Sequence, residues 1–99
     1  MTLRLIAEDF IDPKQISKVL PLYAELITQT RKEPGCRAYE LCRDLKQPGH
    51  FLFIEEWVDD KALAEHVATE HFQRLVPLID QYSIQASRFT HMTTVNCES

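Results

Sequence analysis

The sequence predicts an α+β domain in which four strands form an antiparallel sheet and helices cover one of its faces. Four segments show the apolar alternation or the short apolar runs of strands, and two segments carry apolar residues at helical spacing. Pro-Gly pairs at 34–35 and 48–49 separate several of these segments. Since a chain of 99 residues leaves no room for two cores, we expect residues 1–99 to form a single domain.

The first strand is predicted over residues 3–11, and a helix follows over residues 16–33. If Ser17 is the N-cap, Pro21 falls at the fourth helical position, where a missing N–H costs no hydrogen bond. A kink at Pro21 is the alternative, because a proline ring crowds the carbonyl four residues back. Pro34-Gly35 then ends the helix.

The rest of the chain contains three further predicted strands, over residues 36–44, 50–58 and 84–95. Between the last two strands, a helical segment has Asp59 or Asp60 as its N-cap and restarts at Thr69, with Pro77 as a second interruption. The element order is therefore β-α-β-β-α-β. This order predicts the ferredoxin-like arrangement, an antiparallel sheet with its helices on one face.

The third strand is apolar on both of its faces. One face carries Phe51, Phe53, Glu55 and Trp57, and the other carries Leu52, Ile54, Glu56 and Val58. An antiparallel strand that is covered on one side only should be polar on the other side. We therefore expect a homodimer in which a second copy packs sheet against sheet.

The charge and the apolar runs of the chain limit its partners. A net charge of −4 with scattered basic residues argues against nucleic acid or an anionic membrane as a partner. No apolar run approaches the ~18 residues of a spanning helix, and the N-terminal residues lack a signal-peptide pattern, so we expect a cytoplasmic protein. The three cysteines are expected to remain free thiols, since their number is odd and their spacing fits no metal motif.

Several short motifs occur in a fixed order along the chain. They are Glu33-Pro34-Gly35-Cys36, Tyr39-Glu40-Leu41, Phe53-Ile54-Glu55-Glu56-Trp57, Ala62-Leu63, His66 and His71-Phe72. In order and spacing, and over essentially the whole length, the chain resembles the antibiotic biosynthesis monooxygenase superfamily. The resemblance implies that the ferredoxin-like domain pairs with a second copy to form a dimeric α/β barrel.

The resemblance also implies an activity. The quinol and polyphenol monooxygenases of this superfamily oxidise electron-rich aromatic rings with O₂ and use no metal, flavin or haem. We therefore expect a cofactor-independent monooxygenase that acts on a quinol or small polyphenol. One alternative is an isomerase or lyase for a small oxygenated carbonyl metabolite of the autoinducer-2-phosphate type. The other is a non-catalytic protein that binds an aromatic compound or a quinone.

The haem-degrading branch of the superfamily uses an Asn-Trp-His constellation, which this chain does not match. The position of its tryptophan corresponds to His66, and that of its axial histidine corresponds to Val76. The predicted first strand contains no asparagine. Haem degradation is therefore disfavoured, because no strong axial ligand stands at the expected place.

His66, Glu55 and Trp57 are the candidate catalytic residues. A histidine has an unperturbed pKa of about 6.5 and suits a general base that removes a phenolic or C–H proton; a hydrogen-bonded residue at the cleft edge is the alternative for His66. Glu55 lies on an apolar face, so it either pairs with an Arg or Tyr or has a raised pKa and transfers protons. Trp57 is either a core aromatic or, as the resemblance implies, a wall that stacks on the substrate.

The candidate substrate-binding residues are Trp57, Tyr39, Tyr23, Phe53 and His71. Tyr23 and Tyr39 could meet across the cleft, and packing is the alternative role of both. His71 could instead cap a helix or lie at the dimer edge, although a helix break at Thr69 would let His66 and His71 approach one cleft. Zinc ligands on a helix stand three or four residues apart, so this spacing of five predicts no metal site, and no cofactor is expected.

Overall fold

The computed structural model describes residues 2–98. Its strands are β1 (Leu3–Ile11), β2 (Cys36–Arg43), β3 (His50–Trp57) and β4 (Ser83–Met92). Its helices are α1 (Ile16–Thr30), α2 (Asp60–Val67) and α3 (Glu70–Asp80), and a short 3-10 turn (Pro13–Gln15) precedes α1. The four strands form one antiparallel sheet in the order β2-β3-β1-β4. The predicted ferredoxin-like α+β fold is therefore confirmed, with its second helical segment divided into α2 and α3.

The start of α1 differs from the prediction. Asp12, rather than Ser17, begins the helical path, because its carboxylate accepts a hydrogen bond from the Lys14 N–H and starts the 3-10 turn. That turn leads directly into α1 at Ile16, so Pro21 lies inside the helix. The predicted N-cap was wrong because the turn that begins the helix lies upstream of the apolar stripe from which the helix was inferred.

Two side-chain caps set the ends of α2 and α3, as the sequence predicted. Asp59 accepts a hydrogen bond from the Ala62 N–H at 2.8 Å, and Thr69 accepts one from the Phe72 N–H at 3.2 Å. Pro77 does not interrupt α3, which continues to Asp80. Pro77 is exposed, so a backbone carbonyl that loses its partner on this side of the helix can bond water instead.

The last strand is shorter than predicted. β4 pairs with β1 up to Met92, which lies opposite Arg4. Since β1 begins at Leu3, the segment 93–95 has almost no backbone left to pair with. This segment has no regular secondary structure, whereas the prediction had placed it in the strand.

The two faces of the sheet differ in what covers them. The β3 side chains Phe51, Phe53, Glu55 and Trp57 are all buried on the face that carries the helices. Their neighbours Leu52, Ile54 and Glu56 point to the opposite face and are only partly buried. Within residues 2–98, no helix combines the length and the apolar character needed to cross a membrane.

Candidate active site

A cavity of about 770 Å³ lies between the sheet and the three helices. Its apolar wall includes Leu5, Ala7, Leu26, Phe53, Leu63, Phe72 and Ile79. Ile84 and Phe89 of β4 also line it, and both are well exposed, so the cavity opens along this edge strand. Its volume is that of a site for a small molecule with a few rings.

The ionisable groups of the cavity are mainly acidic. Three carboxyl groups line it, those of Asp9, Glu55 and Asp80. Among the described residues, no lysine or arginine lines the cavity, and the basic side chains in its wall are the imidazoles of His66 and His91. The cavity is therefore apolar in most of its wall and acidic in its ionisable groups.

Glu55 is buried in the cavity wall beside Trp57. The Trp57 Nε1–H donates a hydrogen bond to Glu55 Oε1 at 2.9 Å. Burial raises the pKa of Glu55 to about 7, against the opposing effect of this hydrogen bond, and the charges of Asp9 and Glu33 raise it further. Of the two alternatives for Glu55, the raised pKa therefore agrees with the structure. Its hydrogen-bond partner is an indole rather than an Arg or Tyr, since residues two apart on a strand lie side by side on one face.

His66 lines the same cavity and is held by Glu33. The distance from His66 Nδ1 to Glu33 Oε2 is 2.8 Å. Burial lowers the pKa of His66, although the nearby Glu33 carboxylate acts in the opposite direction, so the imidazole is neutral near pH 7. Because a carboxylate accepts hydrogen bonds, Nδ1 carries the hydrogen, and Nε2 remains as the basic nitrogen available to the cavity.

His71 approaches the same carboxylate from α3. Its Nε2 lies 2.7 Å from Glu33 Oε2, the oxygen that His66 also contacts. The break between α2 and α3 makes this possible, as the sequence analysis had expected for the two histidines. Thr69 stabilises the break, since its hydroxyl donates to the His66 carbonyl at 2.7 Å in addition to capping α3.

Glu33 is a site residue that the sequence analysis did not select. It follows α1, where Pro34-Gly35 had been interpreted only as a helix stop. Gly35 packs directly on Ala62 of α2, and a Cβ at this position would overlap the Ala62 side chain. The sequence signal that could have identified Glu33 is its place beside this Pro-Gly turn, which brings the end of α1 against α2.

The donor atoms of Glu33, His66 and His71 all lie within 4.8 Å of one another, as in a three-ligand metal site. The two nitrogen–oxygen distances, 2.7 and 2.8 Å, are nevertheless those of charge-assisted hydrogen bonds. Ligands at about 2.0–2.1 Å from a tetrahedral zinc would stand roughly 3.3 Å apart. The expectation of no metal site therefore stays a prediction, which metal analysis of the purified protein tests.

The predicted aromatic residues occupy different layers of the site. Phe53 and Tyr39 line the cavity. Trp57 is fully buried behind it, with its ring 4.6 Å from that of His66, so it packs against the candidate base, as in the core-aromatic alternative. Tyr23 and Tyr39 do not meet across the cleft, because Phe53 lies between them at ring distances of 5.4 and 4.8 Å.

A second polar group lies at the other end of the cavity. Asp9 accepts hydrogen bonds from the Tyr23 hydroxyl at 2.6 Å and from the Ser87 hydroxyl at 2.7 Å. Asp9 and Ser87 are not among the site residues that the sequence predicts. The available signal was the position of Asp9 on the face of β1 that also carries Leu5 and Ala7, where a carboxylate interrupts an apolar row.

Comparison with known proteins gives this site a family context. The model of the antibiotic biosynthesis monooxygenase family matches residues 2–78. The chain belongs to the antibiotic biosynthesis monooxygenase family. A crystal structure of an antibiotic biosynthesis monooxygenase is 55% identical, with a TM-score of 0.93, and the match covers 95% of this chain and 99% of that one.

Two further relatives of the family member described here are more distant. "Putative monooxygenase YcnE" of Bacillus subtilis (strain 168) is 29% identical over 66 residues, which are 67% of this chain and 70% of that protein. The crystal structure of PA3566 from Pseudomonas aeruginosa is 29% identical with a TM-score of 0.86, and the match covers 96% of this chain and 95% of that one.

Proposed function

We propose that this family member is a cofactor-independent monooxygenase that oxidises a quinol or a small polyphenol with O₂. The observation that carries the proposal is the Glu33–His66 pair. It presents a buried, neutral imidazole, oriented through Nδ1, to a cavity lined by aromatic and aliphatic side chains. Membership of a family described as monooxygenases also supports a reaction of this type.

In the first step, His66 Nε2 takes the phenolic proton of the substrate. The pKa of His66 is lowered by burial, so the ring is unprotonated at the start and can accept a proton. The imidazolium that forms lies against the Glu33 carboxylate, which stabilises it at a contact of 2.8 Å. The phenolate that remains is electron-rich enough to react directly with O₂.

In the second step, the phenolate passes one electron to O₂, and the radical pair recombines to form a C–O bond. His66 returns its proton to the resulting peroxide. The ring carbon that carries the peroxide then loses its one hydrogen, and the peroxide loses hydroxide, so that water leaves and one oxygen atom remains in the substrate as a carbonyl. The phenolic and ring hydrogens end in that water, and the aromatic ring supplies all four electrons that O₂ accepts. Glu55, whose pKa is about 7, protonates the departing hydroxide and is restored by the ring C–H proton lost in the same step.

The remaining residues position these groups and the substrate. Phe53 and Tyr39 line the cavity and would contact the aromatic ring of the substrate. Trp57 acts indirectly, by donating its N–H to Glu55 and packing on His66. His71 shares the Glu33 carboxylate and fixes its position.

The charge of the cavity bears on the two alternatives. A phosphorylated metabolite of the autoinducer-2-phosphate type needs cationic or N–H donors for its phosphate, and the carboxylates of Asp9 and Asp80 would repel it. The acidic lining therefore disfavours that isomerase or lyase. A non-catalytic protein that binds an aromatic compound would use the same cavity, and only a measurement of turnover separates it from an enzyme.

We also propose that the protein functions as a homodimer, with the open faces of the two sheets packed together. Ile6, Leu52 and Ile54 lie on this face, and no helix of the described chain covers it. Three ionisable side chains of the same face form a paired group, in which His50 lies 2.9 Å from Glu8 and 2.8 Å from Asp44. A face with an apolar centre and partly paired charges suits contact with a second copy.

The experiment that tests the proposed function is an oxygen-electrode screen of the purified protein against a panel of quinols and polyphenols, corrected for autoxidation. We expect O₂ uptake that falls by about 10²–10⁴-fold in His66→Ala, since a general base contributes on that order. Glu65→Ala is the matched control, because Glu65 lies next to His66 but is exposed. No uptake with any compound, or a folded and fully active His66→Ala, would reject the proposal.

A Glu33→Gln variant tests the positioning role of Glu33. The amide still accepts a hydrogen bond from His66 but cannot stabilise the imidazolium by charge. We expect a lower kcat with a similar KM, and an acidic limb of the pH profile that moves to lower pH, because loss of the carboxylate lowers the pKa of His66 further. A purely structural role of Glu33 would leave the pH profile unchanged.

A further inference from the structure

The cavity has polar groups at two ends that are well separated along the sheet. Glu55 lies opposite Leu5 in the pairing of β1 with β3, and Asp9 stands four residues further along β1 on the same face. At roughly 3.4 Å per residue, the two positions are about 13 Å apart. A ligand that places a phenolic ring beside Glu55 and His66 therefore extends toward Asp9.

The far end of the cavity carries negative charge that no cation within residues 2–98 balances. The two hydrogen bonds that Asp9 accepts come from neutral hydroxyl groups, those of Tyr23 and Ser87. Asp80 lines the same end, and burial and the nearby Asp9 charge raise its pKa. The pKa of Tyr23 is also raised, chiefly by burial and then by Asp9, so its hydroxyl remains a neutral donor.

At the opposite end from Asp9 and Asp80, the wall holds Glu55, a polar side chain that is more than nine-tenths buried and lines the cavity. Glu55 is 5% exposed, and Trp57 contacts only its Oε1, so Oε2 has no hydrogen-bond partner among the described residues. Glu55 lines the cavity together with His66. The end of the cavity at Glu55 and His66 can therefore bind the hydroxyl group of an aromatic ring. The rest of such a ligand would then point toward Asp9.

We infer that Asp9 is a specificity-determining residue, which selects aromatic substrates whose tail ends in a protonated amine and rejects those that carry a carboxylate or a phosphate. This inference rests on the proposed function for the identity of the ring, and it adds the charge of the tail. An ammonium group can take a position beside Asp9 and Asp80 and pair with both carboxyl groups. An anionic tail would be repelled by the carboxylates of Asp9 and Asp80.

The test uses three catechols that share a two-carbon tail and differ in its terminal group. Dopamine ends in an ammonium, hydroxytyrosol in a hydroxyl and dihydrocaffeate in a carboxylate. Calorimetric titration of the whole protein under anaerobic conditions measures binding without turnover. We expect dopamine to bind about tenfold more tightly than hydroxytyrosol. Dihydrocaffeate should bind at least tenfold more weakly than hydroxytyrosol, because charges interact more strongly in a partly dry cavity than in water.

Variants assign this preference to particular residues. Asp9→Asn should bring the three affinities to within about threefold of one another, with circular dichroism to confirm folding. If Asp9→Asn fails to fold, Asp80→Asn takes its place and should reduce the preference for the amine. Glu65→Gln is the control, because Glu65 is exposed on α2 outside the cavity, and it should retain the full preference.

Each outcome separates this inference from the proposed function. Equal binding of the three catechols, no binding of any of them, or a full preference in Asp9→Asn overturns the inference. Binding with the expected preference but no O₂ uptake leaves the inference standing and rejects the oxidation. Uptake of O₂ with neutral and anionic quinols at equal efficiency supports the oxidation and overturns the inference.

Discussion

At the scale of single residues, the site is organised by burial of ionisable groups. Burial acts in opposite directions on the pKa of the two candidate catalytic side chains, raising that of Glu55 to about 7 and lowering that of His66. Both changes favour the neutral form. The cavity therefore holds a neutral base beside a protonated acid in a range just below pH 7, which is the combination that the proposed reaction uses.

The raised pKa of Glu55 predicts a pH-dependent cost in stability. The folded state holds the Glu55 proton more tightly than the unfolded chain, so its favourable contribution is complete below pH 4.5 and is lost as the pH rises through about 7. The difference between the pKa of 4.5 in the unfolded chain and about 7 in the folded protein corresponds to about 3 kcal/mol of unfolding free energy, at about 1.36 kcal/mol per pKa unit. Glu55→Gln should therefore unfold at higher denaturant than the wild type at pH 8, and at a similar concentration at pH 4.5.

Chemical denaturation at the two pH values measures this effect. Glu65→Gln is the matched control, because Glu65 is an exposed glutamate on α2. The gain in unfolding free energy of Glu55→Gln over the wild type should grow with pH. The unfolding free energy of Glu65→Gln relative to the wild type should not change with pH. A constant difference across the pH range would show that the Glu55 pKa is not raised in the folded protein.

At the scale of elements, the division between α2 and α3 creates the Glu33–His66–His71 cluster. Thr69→Ala removes a hydroxyl that both caps α3 and bonds the His66 carbonyl. We expect a loss of about 1 kcal/mol in unfolding free energy, the usual cost of a lost N-cap, together with a weaker activity as His71 moves from Glu33. Thermal or denaturant unfolding and O₂ uptake measure the two effects.

Thr28→Ala provides the comparison for Thr69→Ala. Thr28 is an exposed residue of α1 whose hydroxyl bonds only the carbonyl of Ala24, four residues back, and bonds of this kind add little to helix stability. Its replacement should leave both stability and activity close to the wild type. Equal effects of the two variants would contradict the proposed role of the cap.

The elements that could be predicted from the sequence are those whose cause is local. The alternation of β1 and β3 and the caps Asp59 and Thr69 depend on neighbouring residues, and the structure confirms them. The beginning of α1 was missed because the hydrogen bond of Asp12 to Lys14 starts a turn before the apolar stripe begins. Local sequence patterns therefore predict which helices and strands form, but not always the residues at which they begin and end.

The site was only partly predictable because its polar contacts join distant parts of the chain. Glu33 meets His66 from 33 residues away, and Ser87 meets Asp9 across 78 residues. Side-chain chemistry selected His66 and Glu55, and the resemblance favoured Trp57 as a stacking wall, yet neither could show that Trp57 lies behind the cavity. Such contacts depend on the packing of α1, α2 and β4 on one sheet, which no local pattern specifies.

At the scale of the whole molecule, the open sheet face predicts the oligomeric state. Light scattering after size exclusion should give about twice the chain mass of 11.5 kDa. Ile54→Asp places an unpaired charge on this face and should yield monomers or insoluble protein. Leu45→Asp is the control, because Leu45 is 98% exposed in the turn before β3, and it should remain dimeric. A wild-type monomer at micromolar concentration would contradict the packing of sheet against sheet.

The central claim is that the substrate itself supplies the electrons for oxygenation, and labelled oxygen tests it most directly. The purified protein, freed of metals and small molecules, is supplied with ¹⁸O₂ and a quinol or polyphenol that it turns over. We expect mass spectrometry to find one ¹⁸O atom in the carbonyl of the product and the other in water, at a rate that His66→Ala reduces. Product without ¹⁸O, or turnover that requires an added reductant, flavin or metal, would contradict the account.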